Sequence, residues 1–124
     1  MTKTPDHESS RSVEIAVTRT FSKRLRLLKK RYRNVQKDVQ AILEEIRAGT
    51  FIGDEISGVG FKVMKVRVRN RDISKGKSAG YRLIYYVRTE DSVLLLTIYS
   101  KSDQDGVSPS VIRQIIQDSI PNIG

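Results

Sequence analysis

Between Lys62 and Arg88 the chain carries nine Lys/Arg residues and a single acid, Asp72, set in β-forming sequence. The core of this stretch, Val63-Met64-Lys65-Val66-Arg67-Val68-Arg69, alternates apolar residues with cations. Successive side chains of a strand point to opposite faces, so Lys65, Arg67 and Arg69 share one face and Met64, Val66 and Val68 the other. A row of cations backed by an apolar layer is a rigid grip for phosphates. Arginine's planar donor fork adds two-point recognition of an oxyanion. β-forming sequence resumes at Gly80-Tyr81-Arg82-Leu83-Ile84-Tyr85-Tyr86-Val87 and contributes Arg82.

The rest of the composition limits what such a grip could hold. A chain of 124 residues, 38% of them hydrophobic, has room for one domain with one modest core. With 23 Lys/Arg against 14 Asp/Glu the net charge is +9, which points to nucleic acid, an acidic protein or an anionic surface as partner. Apolar runs such as Val93-Leu94-Leu95-Leu96 fall far short of the roughly 18 residues that span a bilayer, so no membrane partner is expected. The chain has no cysteine, which excludes disulfides and thiolate metal sites and suits a reducing compartment. Its first ten residues are polar and lack the apolar region of a signal peptide, so the expected location is cytoplasmic.

Periodicity supplies the elements that must position the cations. Residues 1 to about 11 read as a solvated tail, and 12–120 as a single domain. Val13 to Thr18 suggests a first strand. Phe21, Leu25, Leu28 and Tyr32 recur at helical spacing, with Thr20 or Ser22 as cap. After Asn34 a second helix carries Val35, Val39, Ile42, Leu43 and Ile46 on one stripe and stops before Gly49. Thr50 to Gly60 reads as a loop. Three strands follow, near Phe61–Arg69, Tyr81–Arg88 and Ser92–Tyr99, the last two joined as an antiparallel hairpin. Val93 to Ile98 is almost wholly apolar, as in a strand covered on both faces. Ser108-Pro109 opens a closing helix striped by Val111, Ile112, Ile115 and Ile116. The order β-α-α-β-β-β-α predicts an α+β fold with a small, mainly antiparallel sheet and its helices, the hairpin foremost, on one face.

Three local patterns then resemble a known family. They are Lys65-Val66-Arg67-Val68, the run Lys75-Gly76-Lys77-Ser78-Ala79-Gly80-Tyr81-Arg82-Leu83-Ile84-Tyr85-Tyr86, and Leu95-Leu96-Thr97-Ile98-Tyr99-Ser100-Lys101-Ser102-Asp103. Their order and spacing are similar to the RelE/HigB branch of bacterial type II toxin–antitoxin toxins, over about Phe21 to Ile116. The resemblance implies a RelE-like fold and a ribosome-dependent, metal-independent endoribonuclease that cuts translated messenger RNA and needs no cofactor. It also implies a cognate antitoxin as partner, with further contacts to ribosomal RNA. It places Lys65 and Arg67 at the paired basic positions of the first catalytic strand, Arg82 after the Gly-aromatic pair, and Lys101 at the basic end of the last strand. The chain departs from the RelE pattern at Ser102, where a second cation is expected, and at Ser108, where a Tyr is.

RNA can be cut by its own 2′-hydroxyl, provided that a proton is removed, charge on the pentacoordinate phosphate is stabilised and the 5′-oxygen is helped to leave. The lone His7 lies in the polar tail, and the acids are too scattered for a two-metal site; only Asp103 and Asp105 resemble a weak cation site. Arg67 and Arg82 would then clamp the phosphate. Lys65 would act as base if neighbouring cations lower its pKa, and Tyr81, Tyr99 or Lys101 would supply the acid. Arg69, Arg71, Lys75, Lys77 and Tyr81 are the expected RNA contacts beyond the scissile phosphate. The seven cations from Lys23 to Arg33 read as the solvent face of the first helix. Two other functions suit the same residues: a ParE-like toxin acting on DNA gyrase, and a non-catalytic RNA- or ribosome-binding module.

Overall fold

The first helix starts where a threonine can do two things at once. In the computed structural model, which describes residues 12–71 and 80–119, β1 (Glu14–Val17) runs directly into α1 (Arg19–Arg31). The cap between them is Thr18, not Thr20 or Ser22. Its hydroxyl accepts from the Phe21 N–H at 2.9 Å and donates to the Leu96 carbonyl at 2.7 Å. A cap at Thr20 or Ser22 would satisfy the helix alone, whereas Thr18 also ties it to the sheet. The expected solvated tail, together with Asp72, Lys75 and Lys77, lies outside the described residues.

After a short joint at Asn34, α2 (Val35–Arg47) returns along α1 and buries Val35, Val39 and Ile46. The segment expected to be a loop contains a two-residue strand, β2 (Asp54–Glu55). Then come β3 (Val63–Val68), β4 (Tyr81–Thr89), β5 (Ser92–Ser100) and α3 (Pro109–Ser119). Ser108 Oγ accepts from the Val111 N–H at 3.3 Å, so the serine before the proline opens α3 as expected. The protein is therefore α+β, with a five-stranded sheet in the order β1-β5-β4-β3-β2. β1 lies parallel to β5 and every other pair is antiparallel. Thr89 faces Ser92 across the Glu90-Asp91 turn, as a tight hairpin requires.

Alternation along the strands splits the core into two layers. Met64, Val66, Val68, Tyr81, Leu83 and Tyr85 face the α1–α2 hairpin and pack on Phe21, Leu28, Val39 and Ile46. Val63, Ile84, Leu94, Leu96 and Tyr99 face the other way and are covered by Ile112 and Ile116 of α3. The expectation that all helices lie on one side is thus corrected. The apolar run of β5 puts too much hydrocarbon on the second face to leave it in water, and α3 is what covers it. Val111, expected in the stripe of α3, is exposed instead. β5 carries one irregularity: Ile84 pairs with Thr97 and Tyr85 with Leu95, so Leu96 has no partner on β4. No helix among the described residues is long and apolar enough to cross a membrane.

Candidate functional site

The register of three strands assembles the cations. Arg67 of β3 lies directly across from Arg82 of β4, and Arg82 directly across from Tyr99 of β5. Directly opposed residues of an antiparallel pair point to the same face with Cα atoms about 5 Å apart, so this rung spans about 10 Å. Lys65, two residues before Arg67, shares its face, on the rung with Ile84 and Thr97. The ladder also runs one residue past β5, where the Lys101 N–H donates to the Gly80 carbonyl at 3.0 Å. Alternation turns Lys101 to the side of Tyr99.

Gly80 has a positive φ of 35°, and a Cβ there would come within 2.7 Å of the Val68 carbonyl oxygen. Only glycine lets β4 begin so close to the end of β3. The position between Arg69 and Lys101 thus carries no side chain. Arg67 and Arg69 are exposed, and Lys65, Arg82 and Lys101 are half-buried. The Arg82 guanidinium reaches back to donate from Nη1 to the carbonyl of Tyr81 at 3.2 Å.

Two groups temper the positive field. Asp54 of β2 sits directly across from Lys65 and so shares the cation face, giving Lys65 an acidic neighbour where only cations are expected. Asp105 stands 3.8 Å from the Lys101 ammonium. Tyr99 is the buried member of the rung, 3% exposed, and its hydroxyl has no hydrogen-bond partner among the described residues. Burial pushes the Tyr99 phenol above its ordinary pKa; Arg82 pulls it down and Asp105 adds to the rise. The phenol therefore stays protonated beside the guanidinium, with its oxygen buried in the fold.

Other expected site residues are placed elsewhere. Tyr81 is fully buried on the helical face, edge-on to Tyr32 at 5.6 Å, so it offers no ring to a nucleotide base or a proton to a leaving group. Arg71 is committed to Asp38 of α2. Its Nε donates to Oδ1 at 2.5 Å and its backbone N–H to Oδ2 at 3.1 Å, around a carboxylate that is 2% exposed. That ion pair anchors the chain just before Asp72 and fixes the base of an Arg71 side chain that remains exposed. Asp103 and Asp105 do not form a cation site, because Asp103 binds Arg31 at 2.6 Å while Asp105 faces Lys101. Asp54 was missed because nothing in the loop-like run Thr50 to Gly60 signals a two-residue strand or its register.

The arrangement can bind a phosphodiester at two arginines and flank it with a lysine at each end. Compared with models of known protein families and with curated proteins, the chain matches none.

Proposed function

We propose that this protein is the toxin of a bacterial type II toxin–antitoxin pair, acting as a ribosome-dependent, metal-independent endoribonuclease on messenger RNA. One observation carries the proposal: Arg67 and Arg82 are held face to face across β3 and β4, with Lys65 on the same face. Like charges directly opposed on a sheet cost stability, and an anion bridging them repays that cost. The likeness of Lys65 to Val68, Lys75 to Tyr86 and Leu95 to Asp103 to the RelE/HigB pattern supports the same conclusion.

In the reaction, Lys65 takes the proton of the substrate 2′-hydroxyl, and the 2′-oxygen attacks the adjacent phosphorus. Arg67 and Arg82 meet the charge that develops on the non-bridging oxygens. The P–O5′ bond breaks, leaving a 2′,3′-cyclic phosphate, and the 5′-oxygen takes a proton from Lys101 at the end of β5. Burial takes both Tyr81 and Tyr99 out of the donors and leaves Lys101. Arg69 and the neighbouring basic segment with Lys75 and Lys77 contact the flanking RNA. The resting cell must neutralise such a surface, which calls for an antitoxin with an acidic or amphipathic segment.

Inducing the protein in bacteria without its partner tests the proposal. Growth arrest is expected, with primer extension showing cuts in translated messages, and Arg82→Ala abolishing both. Normal growth with intact messages overturns it. Growth arrest with intact messages and blocked gyrase supercoiling replaces it with a ParE-like activity.

A further inference from the structure

At the opposite edge of the sheet from β2, strand β1 is the terminal strand. The Glu14 N–H donates to the Asp91 carbonyl at 2.8 Å and the Thr18 N–H to the Leu95 carbonyl at 3.1 Å. Even-numbered residues of β1 thus turn their backbone groups inward to β5. Ile15 and Val17 turn theirs outward, where no described strand pairs with them. The Val17 side chain is 51% exposed beside this edge. An open edge with an apolar side chain is a template for one more strand, and natural sheets cover or blunt such edges.

A groove of about 810 Å³ runs alongside, between β1, the first turns of α1 and the second half of α3. Leu94 and Ile115 give it an apolar lining, and Arg19, Lys23 and Arg88 bring three cations to it against the one acid of the lining, Asp118. We infer that β1 and this groove form a docking surface for an extended, acidic segment of a partner protein, which adds to the sheet through Ile15 and Val17 and sets its carboxylates against Arg19, Lys23 and Arg88. An RNA strand fits less well. Among the described residues no aromatic ring lines the groove to stack a base, while the outward amide and carbonyl groups match a peptide backbone. β5 and β4 separate this edge from β3, so β1 and β3 stand about 14 Å apart, and the surface does not depend on what Arg67 and Arg82 do.

Fluorescence anisotropy with the full chain and a labelled probe of about ten residues, alternating Asp and Val, tests the inference. Saturable binding is expected. It should weaken about tenfold or more when Lys23→Glu and Arg88→Glu are combined, and survive Lys29→Glu with Lys30→Glu, which makes the same charge change on the far turn of α1. Backbone N-methylation of the probe, at either all Val or all Asp positions, leaves the protein untouched. One of the two methylated probes should lose binding and the other keep it, because only alternate residues of an added strand face β1. The inference is overturned by any of four results: equal loss with both charge-reversal pairs, no loss with either methylated probe, equal binding of an Asp-Ser probe, or displacement of the probe by an RNA of the same length.

Discussion

Replacing Arg82 by glutamine separates what the cation rung does for RNA from what it does to the fold. Two structural contributions change sign against each other. The variant loses the hydrogen bond from Nη1 to the Tyr81 carbonyl, worth about 0.5–1 kcal/mol in a half-exposed setting. It also loses the repulsion from Arg67 directly across the strand pair, roughly 0.2–1 kcal/mol in the other direction. The two nearly cancel, so the stability change should stay within about 0.5 kcal/mol, or about 3 °C in Tm for a domain of this size. Catalysis has no such compensation. Losing one donor aimed at developing charge costs on the order of 10²–10³ in rate. Thermal unfolding by circular dichroism, paired with ribosome-dependent cleavage read by primer extension, measures both. Salt adds an internal check, since screening should raise the wild-type Tm more than that of Arg82→Gln. The reasoning is refuted if the variant cuts messages within about threefold of wild type, or if it loses more than about 2 kcal/mol, which would make Arg82 a prop of the sheet.

Three further outcomes follow from contacts in the fold. Burial pushes the Tyr85 phenol up from 10.0 to about 12, and its hydroxyl donates to the Ile52 carbonyl at 2.5 Å. The unfolded chain releases this proton first, so stability should fall between about pH 10 and 12; in urea unfolding at pH 8 and 11, Tyr85→Phe should be about 1 kcal/mol less stable at pH 8 and show a shallower fall. Thr18→Val removes both the helix cap and the tie to Leu96, which should lower stability by about 1–2 kcal/mol, seen as a shifted urea midpoint with unchanged slope. Gly53 has a φ of 115° and an added Cβ would lie 2.5 Å from the Lys65 carbonyl oxygen. Gly53→Ala should therefore pry β2 from β3, and the Ile56 amide, which donates to Val63 at 2.8 Å, should exchange faster.

The cation rung was legible because its information is local. Alternation alone puts Lys65, Arg67 and Arg69 on one face, and the tight Glu90-Asp91 turn brings β4 and β5 together in register. The same alternation excludes Tyr81 from a face that holds Arg82, since adjacent residues of a strand point apart. Pairing Tyr81 with the RNA conflicted with the strand it sits on. What was not legible depends on distant chain. Arg71 is tied by its Nε to Asp38, which no periodicity links to it. Three hydroxyls, Thr18, Thr20 and Ser22, are equally good caps by type, and only the Leu96 carbonyl of a strand far along the chain selects the first. The placement of α3 followed from the two-sided apolar character of β5, a signal present in the residues but set against a rule that stacks helices together.

The unpaired Leu96 of β5 has a consequence for how such a protein can change. Had the same residues of β5 paired without a bulge, continuing the register of Tyr85 with Leu95, Ile98 would stand across from Arg82 and Tyr99 would point into the α1–α2 core. One surplus residue acts as a phase shifter, inverting every side chain downstream while the residues upstream stay put. Deleting the Leu96 codon would remove the surplus residue and leave every pair from Ile84–Thr97 to Arg82–Tyr99 in place, so the phenol would stay beside the arginines. Which side chain faces Arg82 is therefore set by the pairing register as much as by side-chain choice.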